Sequence, residues 1–180
     1  MKHLPSLLVL LCCVITSCAE DNSEAITPLG NEMLYGNLES QKWYAEVDDE
    51  TVCRKRETNG VFRFEVEKNG KESWHPILIS RTHSFEAGKI YIFSVTAKAD
   101  KPTELYVGVT RDEKDYGNLG FSDKMALTTE WKTFTFTFEP KETSQRGRFD
   151  IGGFKEGFIY DFREATLKPV AMKQIDSLNG

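Results

Sequence analysis

The stretch Trp131-Lys132-Thr133-Phe134-Thr135-Phe136-Thr137-Phe138 alternates aromatic and hydroxyl side chains with a period of two. In a pleated strand successive side chains leave opposite faces, so Phe134, Phe136 and Phe138 share one side and Thr133, Thr135 and Thr137 the other. Three phenylalanines on one face need cover, whereas a threonine face can meet water, and the economical solution is a second sheet packed on the aromatic side. This stretch therefore predicts an all-β fold, a two-sheet antiparallel β-sandwich.

Working outward, the same period recurs. Phe62, Phe64 and Val66 alternate with Arg63, Glu65 and Glu67. Tyr91, Phe93, Val95 and Ala97 share a face within Lys89 to Lys98, as do Leu105, Val107 and Val109 within Glu104 to Arg111. Further strands are expected at Trp43 to Val47, Ser73 to Ser80, Arg148 to Phe154 and Phe158 to Leu167, with a first irregular strand around Met33, Tyr35 and Leu38. Asn59-Gly60 and Asn69-Gly70 supply the positive φ angles of tight hairpin turns. Asp112 to Leu127 reads as an irregular loop and Val170 to Gly180 as a loose tail. Nine or ten strands at this spacing fit one sandwich domain in a chain of 180 residues.

The N-terminus reads as a processed segment. Lys2 and His3 precede an apolar run from Leu7 to Ile15, far short of the roughly 20 residues a membrane-spanning helix needs. The run ends in Ile15-Thr16-Ser17-Cys18, which resembles the lipobox of bacterial lipoproteins. That resemblance implies removal of residues 1–17 as a signal peptide, acylation of Cys18 (palmitate among the acyl groups) and a membrane anchor. Glu20-Asp21 is similar to surface-export signals of such proteins, so the expected location is the bacterial cell envelope, as an outer membrane lipoprotein exposed at the surface. Cys12 and Cys13 fall in the removed segment, leaving Cys18 and Cys53, too few for a disulfide framework once Cys18 is acylated. The expected division is 1–17 signal peptide, 18–30 lipidated cysteine and tether, 31–169 sandwich, 170–180 tail. The formal charge of −5, with no basic stripe longer than Arg54-Lys55-Arg56, argues against nucleic acid as a partner.

Four segments in order resemble the carbohydrate-binding modules of families four, nine and twenty-two, galactose-binding-like jelly rolls. Asn31-Glu32-Met33-Leu34-Tyr35-Gly36-Asn37-Leu38-Glu39 is similar to their opening motif. Ser73-Trp74-His75-Pro76-Ile77-Leu78 is similar to a tryptophan-bearing strand. Phe85 to Tyr91 with Val95 to Ala99, and Leu127 to Phe134, match two further motifs, and Phe162 to Leu167 occupies the closing one. The resemblance implies a non-catalytic jelly roll that holds an oligo- or polysaccharide. Such modules commonly carry a structural calcium ion on the opening glutamate and a closing aspartate. Glu39 matches the former, but Arg163 stands in place of the latter. Calcium is thereby disfavoured, no other cofactor is implied, and Arg163 is expected to pair with Glu39 instead.

A sugar offers C–H faces and a rim of hydroxyls, so its site needs aromatic platforms beside carboxylate, amide or guanidinium groups. Trp74 is the leading platform, by its match to the family position. Tyr106 lies on the strand face opposite Leu105, Val107 and Val109, and Tyr116 sits in the polar segment Asp115-Tyr116-Gly117-Asn118. Asp150 and Arg148 share the face opposite Phe149 and Ile151, and Arg81 is a further donor. Trp43 and Trp131 read as core or its edge. Covering half of an aromatic face of roughly 200 Å² contributes about 2.5 kcal/mol, while millimolar binding needs about 4 kcal/mol. One ring is insufficient, and a real site must combine several groups.

Catalytic signatures are missing from the sequence. It holds no Gly-x-Ser-x-Gly elbow, phosphate loop or His-Glu-x-x-His, and a glycosidase carboxylate pair cannot be read from spacing alone. Two other readings share the same frame. One is an envelope interaction protein or accessory subunit, alongside other glycan-processing proteins of the envelope, and the other is a small glycoside hydrolase.

Overall fold

The computed structural model describes residues 27–28, 43–113 and 115–171. Eleven strands are present among them: β1 (Thr27–Pro28), β2 (Trp43–Glu46), β3 (Val52–Thr58), β4 (Val61–Lys68), β5 (Ile77–Phe85), β6 (Tyr91–Ala99), β7 (Thr103–Arg111), β8 (Asn118–Leu127), β9 (Lys132–Phe138), β10 (Ser144–Gly152) and β11 (Phe158–Ala171). All pairings are antiparallel. One sheet runs β3-β4-β11-β6-β9, with β1 added beside the far end of β11, and the other runs β2-β5-β10-β7-β8. The two sheets form the expected sandwich of jelly-roll type.

Alternation explains the layering. On β9, Phe134 and Phe138 are buried and Thr133, Thr135 and Thr137 are exposed. Phe93 of the six-stranded sheet meets Phe149 of the five-stranded sheet with ring centroids 4.0 Å apart, and Phe121 meets Phe138 at 4.6 Å. Trp43 closes the core edge-on against Phe149 at 6.3 Å. Tilted and offset rings at these separations are the favoured aromatic geometries, and each buried ring contributes about 1.5–3 kcal/mol.

Several boundaries differ from the sequence expectation. Asn118–Leu127 is an edge strand, not a loop: Leu119, Phe121, Met125 and Leu127 point into the core, but Asp123 interrupts their period and Gly117, Gly120 and Ser122 give the segment a loop-like composition. The strand expected at Ser73 begins at Ile77, and Ser73 to Pro76 form a loop. The strand expected at Arg148 begins four residues earlier, at Ser144, and stops at Gly152. β11 extends to Ala171 and pairs there with Thr27–Pro28, inside the expected tether. Cys18, Glu39 and residues 172–180 lie outside the described residues.

The two Asn-Gly pairs behave differently. Asn59 and Gly60 take φ angles of 52° and 75° and make the tight β3–β4 hairpin. Gly70 makes no such turn. A Cβ at Gly70 would lie 2.1 Å from the Asp48 carboxylate, so glycine is needed there for close approach. Asp48 in turn accepts hydrogen bonds from the backbone N–H groups of Glu50, Thr51 and Glu72 and from the Thr51 hydroxyl, with His75 Nδ1 at 3.4 Å. Chiefly the Glu72 bond, helped by the Thr51 hydroxyl, holds its carboxyl well below the usual range, outweighing the opposing effect of burial. One carboxylate thus ties the β2–β3 turn to the loop that carries Trp74.

Candidate functional site

The outer face of the five-stranded sheet is laid out by strand register in three rows. Glu46 pairs with Ile77, and Gly152 pairs with Tyr106, which pairs with Lys124. One pleat further along, Tyr44, Ile79, Asp150, Gly108 and Ser122 are successive partners. The third row runs Arg81, Arg148, Thr110 and Asn118. Residues two apart on a strand share a face, so apart from Arg81, of which only the backbone is described, these side chains leave the sandwich on one side.

Glycines shape this surface. Gly108, beside Asp150, contributes no side chain, and a Cβ there would lie 3.3 Å from the Phe121 carbonyl oxygen. At Gly152 an added Cβ would lie 2.2 Å from the Tyr106 ring and hydroxyl, so Tyr106 lies across β10 over Gly152. Burial raises the Tyr106 phenol above its ordinary value, and the nearby Asp150 adds to the rise. Only glycine lets an aromatic ring come this close to the sheet.

At the centre is a buried polar relay. Arg148 Nε donates to Thr110 Oγ1 at 2.9 Å, and Thr110 Oγ1 donates to Asp150 Oδ2 at 2.6 Å. Arg148 Nε is also 2.9 Å from Asp150 Oδ1, but its hydrogen is directed at Thr110. Asp150 Oδ1 and Arg148 Nη1 are therefore buried without a hydrogen-bond partner, although Nη1 is 3.6 Å from Glu46 Oε2. Both atoms are nevertheless held in ion pairs. The Tyr116 ring lies 4.7 Å from the Arg148 guanidinium and covers it.

Asp150 is only 3 % exposed, where the sequence suggested a carboxylate on an open polar face. Desolvation is the largest influence on it and pushes its carboxyl up to about 6 against the lowering effects of Thr110 and Arg148.

The structure thus brings together Tyr106, Tyr116 and Asp150. Arg148 joins them, as does the β5 position of Arg81, whose backbone pairs with Arg148 and whose side chain lies outside the described residues. Trp74 stands apart, on the loop before β5, 52 % exposed and edge-on to His75 at 5.9 Å. Its loop adjoins the Glu46–Ile77 row, so Trp74 belongs to the rim of the face and not to its centre. Sequence reasoning noted Arg148 only as Asp150's neighbour and missed Tyr44, Glu46 and Thr110. The signal for Thr110 was its place opposite Val109, as for Tyr106 opposite Val107.

Elsewhere, Trp43 is in the core as expected. Trp131 is not: it is half-buried on the outer face of the six-stranded sheet. Arg163 lies over Trp131, 4.5 Å from its centroid, and its Nε is 4.0 Å from Glu164 Oε2. Cys53 is half-buried against the core, and burial pushes its thiol up, which suits a packed side chain better than a nucleophile. Among the described residues no group of three His, Cys, Asp or Glu side chains is placed to hold a metal ion.

Comparisons with known proteins bear on this geometry. Residues 31–153 match a family model described as a carbohydrate binding domain. A solved family-4 module (CBM4) is 20 % identical with a TM-score of 0.62, covering 78 % of this chain and 95 % of its own. The second N-terminal cellulose-binding domain of Cellulomonas fimi β-1,4-glucanase C is 18 % identical, with a TM-score of 0.59 and coverage of 83 % and 99 %. The CBM22-1 xylan-binding domain of Paenibacillus barcinonensis Xyn10C is 11 % identical, with a TM-score of 0.55 and coverage of 82 % and 99 %. No curated protein matches the sequence.

The raised Asp150 carboxyl gives a pH test. Its folded value of about 6 lies above the ordinary 3.8, so its contribution to stability is complete below pH 3.8 and is lost as pH rises through 6. Relative to Asp150→Asn, the wild type should gain roughly 2 kcal/mol between pH 7.5 and pH 4.5, measured by urea denaturation of both proteins. A constant difference would mean that Asp150 is not desolvated as described.

Proposed function

The chain belongs to the carbohydrate binding domain family, and from that membership we propose that it holds an oligo- or polysaccharide, without cleaving it, across the outer face of its five-stranded sheet. The observation that carries this reading is a pair of aromatic rings on one sheet face, Tyr106 lying over Gly152 and the half-exposed Tyr116 over the Arg148 guanidinium. Beneath them the buried Asp150–Arg148 ion pair fixes the polar centre of that surface. Tyr106 and Tyr116 flank the pair with aromatic surface, and Trp74 adds a third ring at the rim. Together they supply more than the one-ring contribution that falls short of millimolar affinity.

The arrangement favours binding over hydrolysis. A glycosidase needs two carboxyl groups facing a gap that holds the scissile bond. Here Arg148 approaches both Asp150 and Glu46, at 2.9 and 3.6 Å, and so occupies the space between them. Two relatives are named as cellulose- and xylan-binding, which makes β-linked glucan and xylan the first ligands to offer. Attachment to the envelope through a lipid on Cys18 completes the reading, placing the module where it would retain glycan at the cell surface.

Isothermal titration with cellohexaose and xylohexaose is expected to give micromolar to millimolar binding. Asp150→Asn and Trp74→Ala should each weaken it at least tenfold with the fold retained, and no reducing sugar should be released. Affinity unchanged by both variants would remove this face from consideration. A folded protein that binds no glycan would favour an envelope protein as the partner. For the anchor, Cys18→Ser should move the protein from the membrane fraction to the soluble one, and an unchanged distribution would contradict lipidation.

A further inference from the structure

The opposite face of the sandwich carries a second concave site that the reading above does not use. On the outer surface of the six-stranded sheet, a pocket of about 420 Å³ is lined by Arg56, Thr58, Val61, Arg63, Lys98, Trp131 and Asp161. Register explains the assembly. Arg56 pairs with Arg63, Arg63 with Asp161 and Asp161 with Lys98, giving one row across four strands. Trp131 immediately precedes Lys132, the first residue of β9, which pairs with Ala97, so the indole stands at the end of that row.

Charge in this row is unbalanced. Asp161 is buried, and both its oxygens are taken by the Arg63 fork at 2.6 and 2.8 Å, a bidentate pair that satisfies the carboxylate. Arg56 Nη2 reaches Glu65 at 3.2 Å. Lys98 Nζ is left 3.9 Å from Asp161, whose oxygens are already engaged, and sits 5.1 Å from the Trp131 centroid. Arg163 lies 4.5 Å from the same ring, and its Nε makes no hydrogen bond, Glu164 Oε2 standing 4.0 Å away. A cation held by an aromatic ring keeps its full charge, whereas one held by a carboxylate is neutralised. Trp131 therefore gathers positive charge at this pocket in a chain whose formal charge is −5.

We propose that this pocket is a second ligand site, independent of the five-stranded face, that takes the carboxylate or sulfate group of an acidic saccharide. Lys98 receives the anion, with Arg56 beside it, and Trp131 holds Lys98 and Arg163 in place. Thr58 and Thr133, both exposed, offer hydroxyls to the sugar, whereas Thr96, 2.9 Å from Thr133, is buried and donates to Glu164 at 3.1 Å. The pocket's volume falls within the range of small-molecule sites.

The test is calorimetric titration of the full mature chain with trigalacturonic acid, a sulfated disaccharide and neutral xylohexaose, in low and high salt. At least one acidic probe should bind, and its affinity should fall at least fivefold in 0.5 M NaCl, in Lys98→Gln and in Trp131→Leu. Xylohexaose binding should be unchanged in Lys98→Gln, which separates this site from the opposite face. Which acidic probe binds identifies the anion as carboxylate or sulfate. Should Trp131→Leu fail to fold, Lys98→Gln alone decides. Failure of both acidic probes, or acidic binding indifferent to Lys98→Gln, would overturn the proposal whatever xylohexaose does.

Discussion

The packing of Phe93 and Phe121 against Phe149 and Phe138 between the two sheets is the contact on which the rest depends. Rings 4.0 to 4.6 Å apart admit no water, and they fix which residue of each strand faces inward. Because the side-chain period is two, a slip of one residue would turn every phenylalanine outward. Holding the rings in therefore holds Tyr106, Asp150 and Arg148 out on one face, and Arg63, Asp161 and Lys98 out on the other. The chemistry of both surfaces is a consequence of core register.

The two surfaces resolve charge in different ways. On the five-stranded face, Asp150 and Arg148 are buried as an ion pair linked through Thr110, beside the rings of Tyr106 and Tyr116. That surface suits a neutral partner with C–H faces and hydroxyls. On the six-stranded face, Arg63 satisfies Asp161 fully, Arg56 reaches Glu65, and Lys98 and Arg163 rest on an indole. That is a demand for an anion. Membership of the carbohydrate binding domain family supports the first reading and is silent about the second.

Much of this was legible in the sequence because alternation is a local signal. The strand at Trp131 to Phe138, the inward sets on β4, β6 and β7, and the Asn59-Gly60 hairpin all follow from residues a few positions apart. Tyr106 and Asp150 could be assigned to an outward face by the same rule. What the sequence could not convey was depth. Asp150 looks like a solvated acid in isolation, and its burial comes from strands β5 and β7 on either side. β8 was read as loop because Asp123 breaks its period at an edge where the core is open. Trp131 reads as core or its edge at the head of an aromatic strand, yet it precedes the first inward residue and falls on the outer side. Asn69-Gly70 looked like a second hairpin, but Gly70 answers a long-range contact with Asp48 that no local motif reveals.

A glycan on the five-stranded face would lie over the Asp150–Arg148 centre. The direct test is to follow backbone amide shifts during titration with xylohexaose or cellohexaose. Saturable changes are expected, centred on Gly108, Thr110, Arg148 and Asp150, with β3 and β9 unaffected. Changes confined to β3, β9 and the Trp131 pocket, or no saturable change with either sugar, would contradict it.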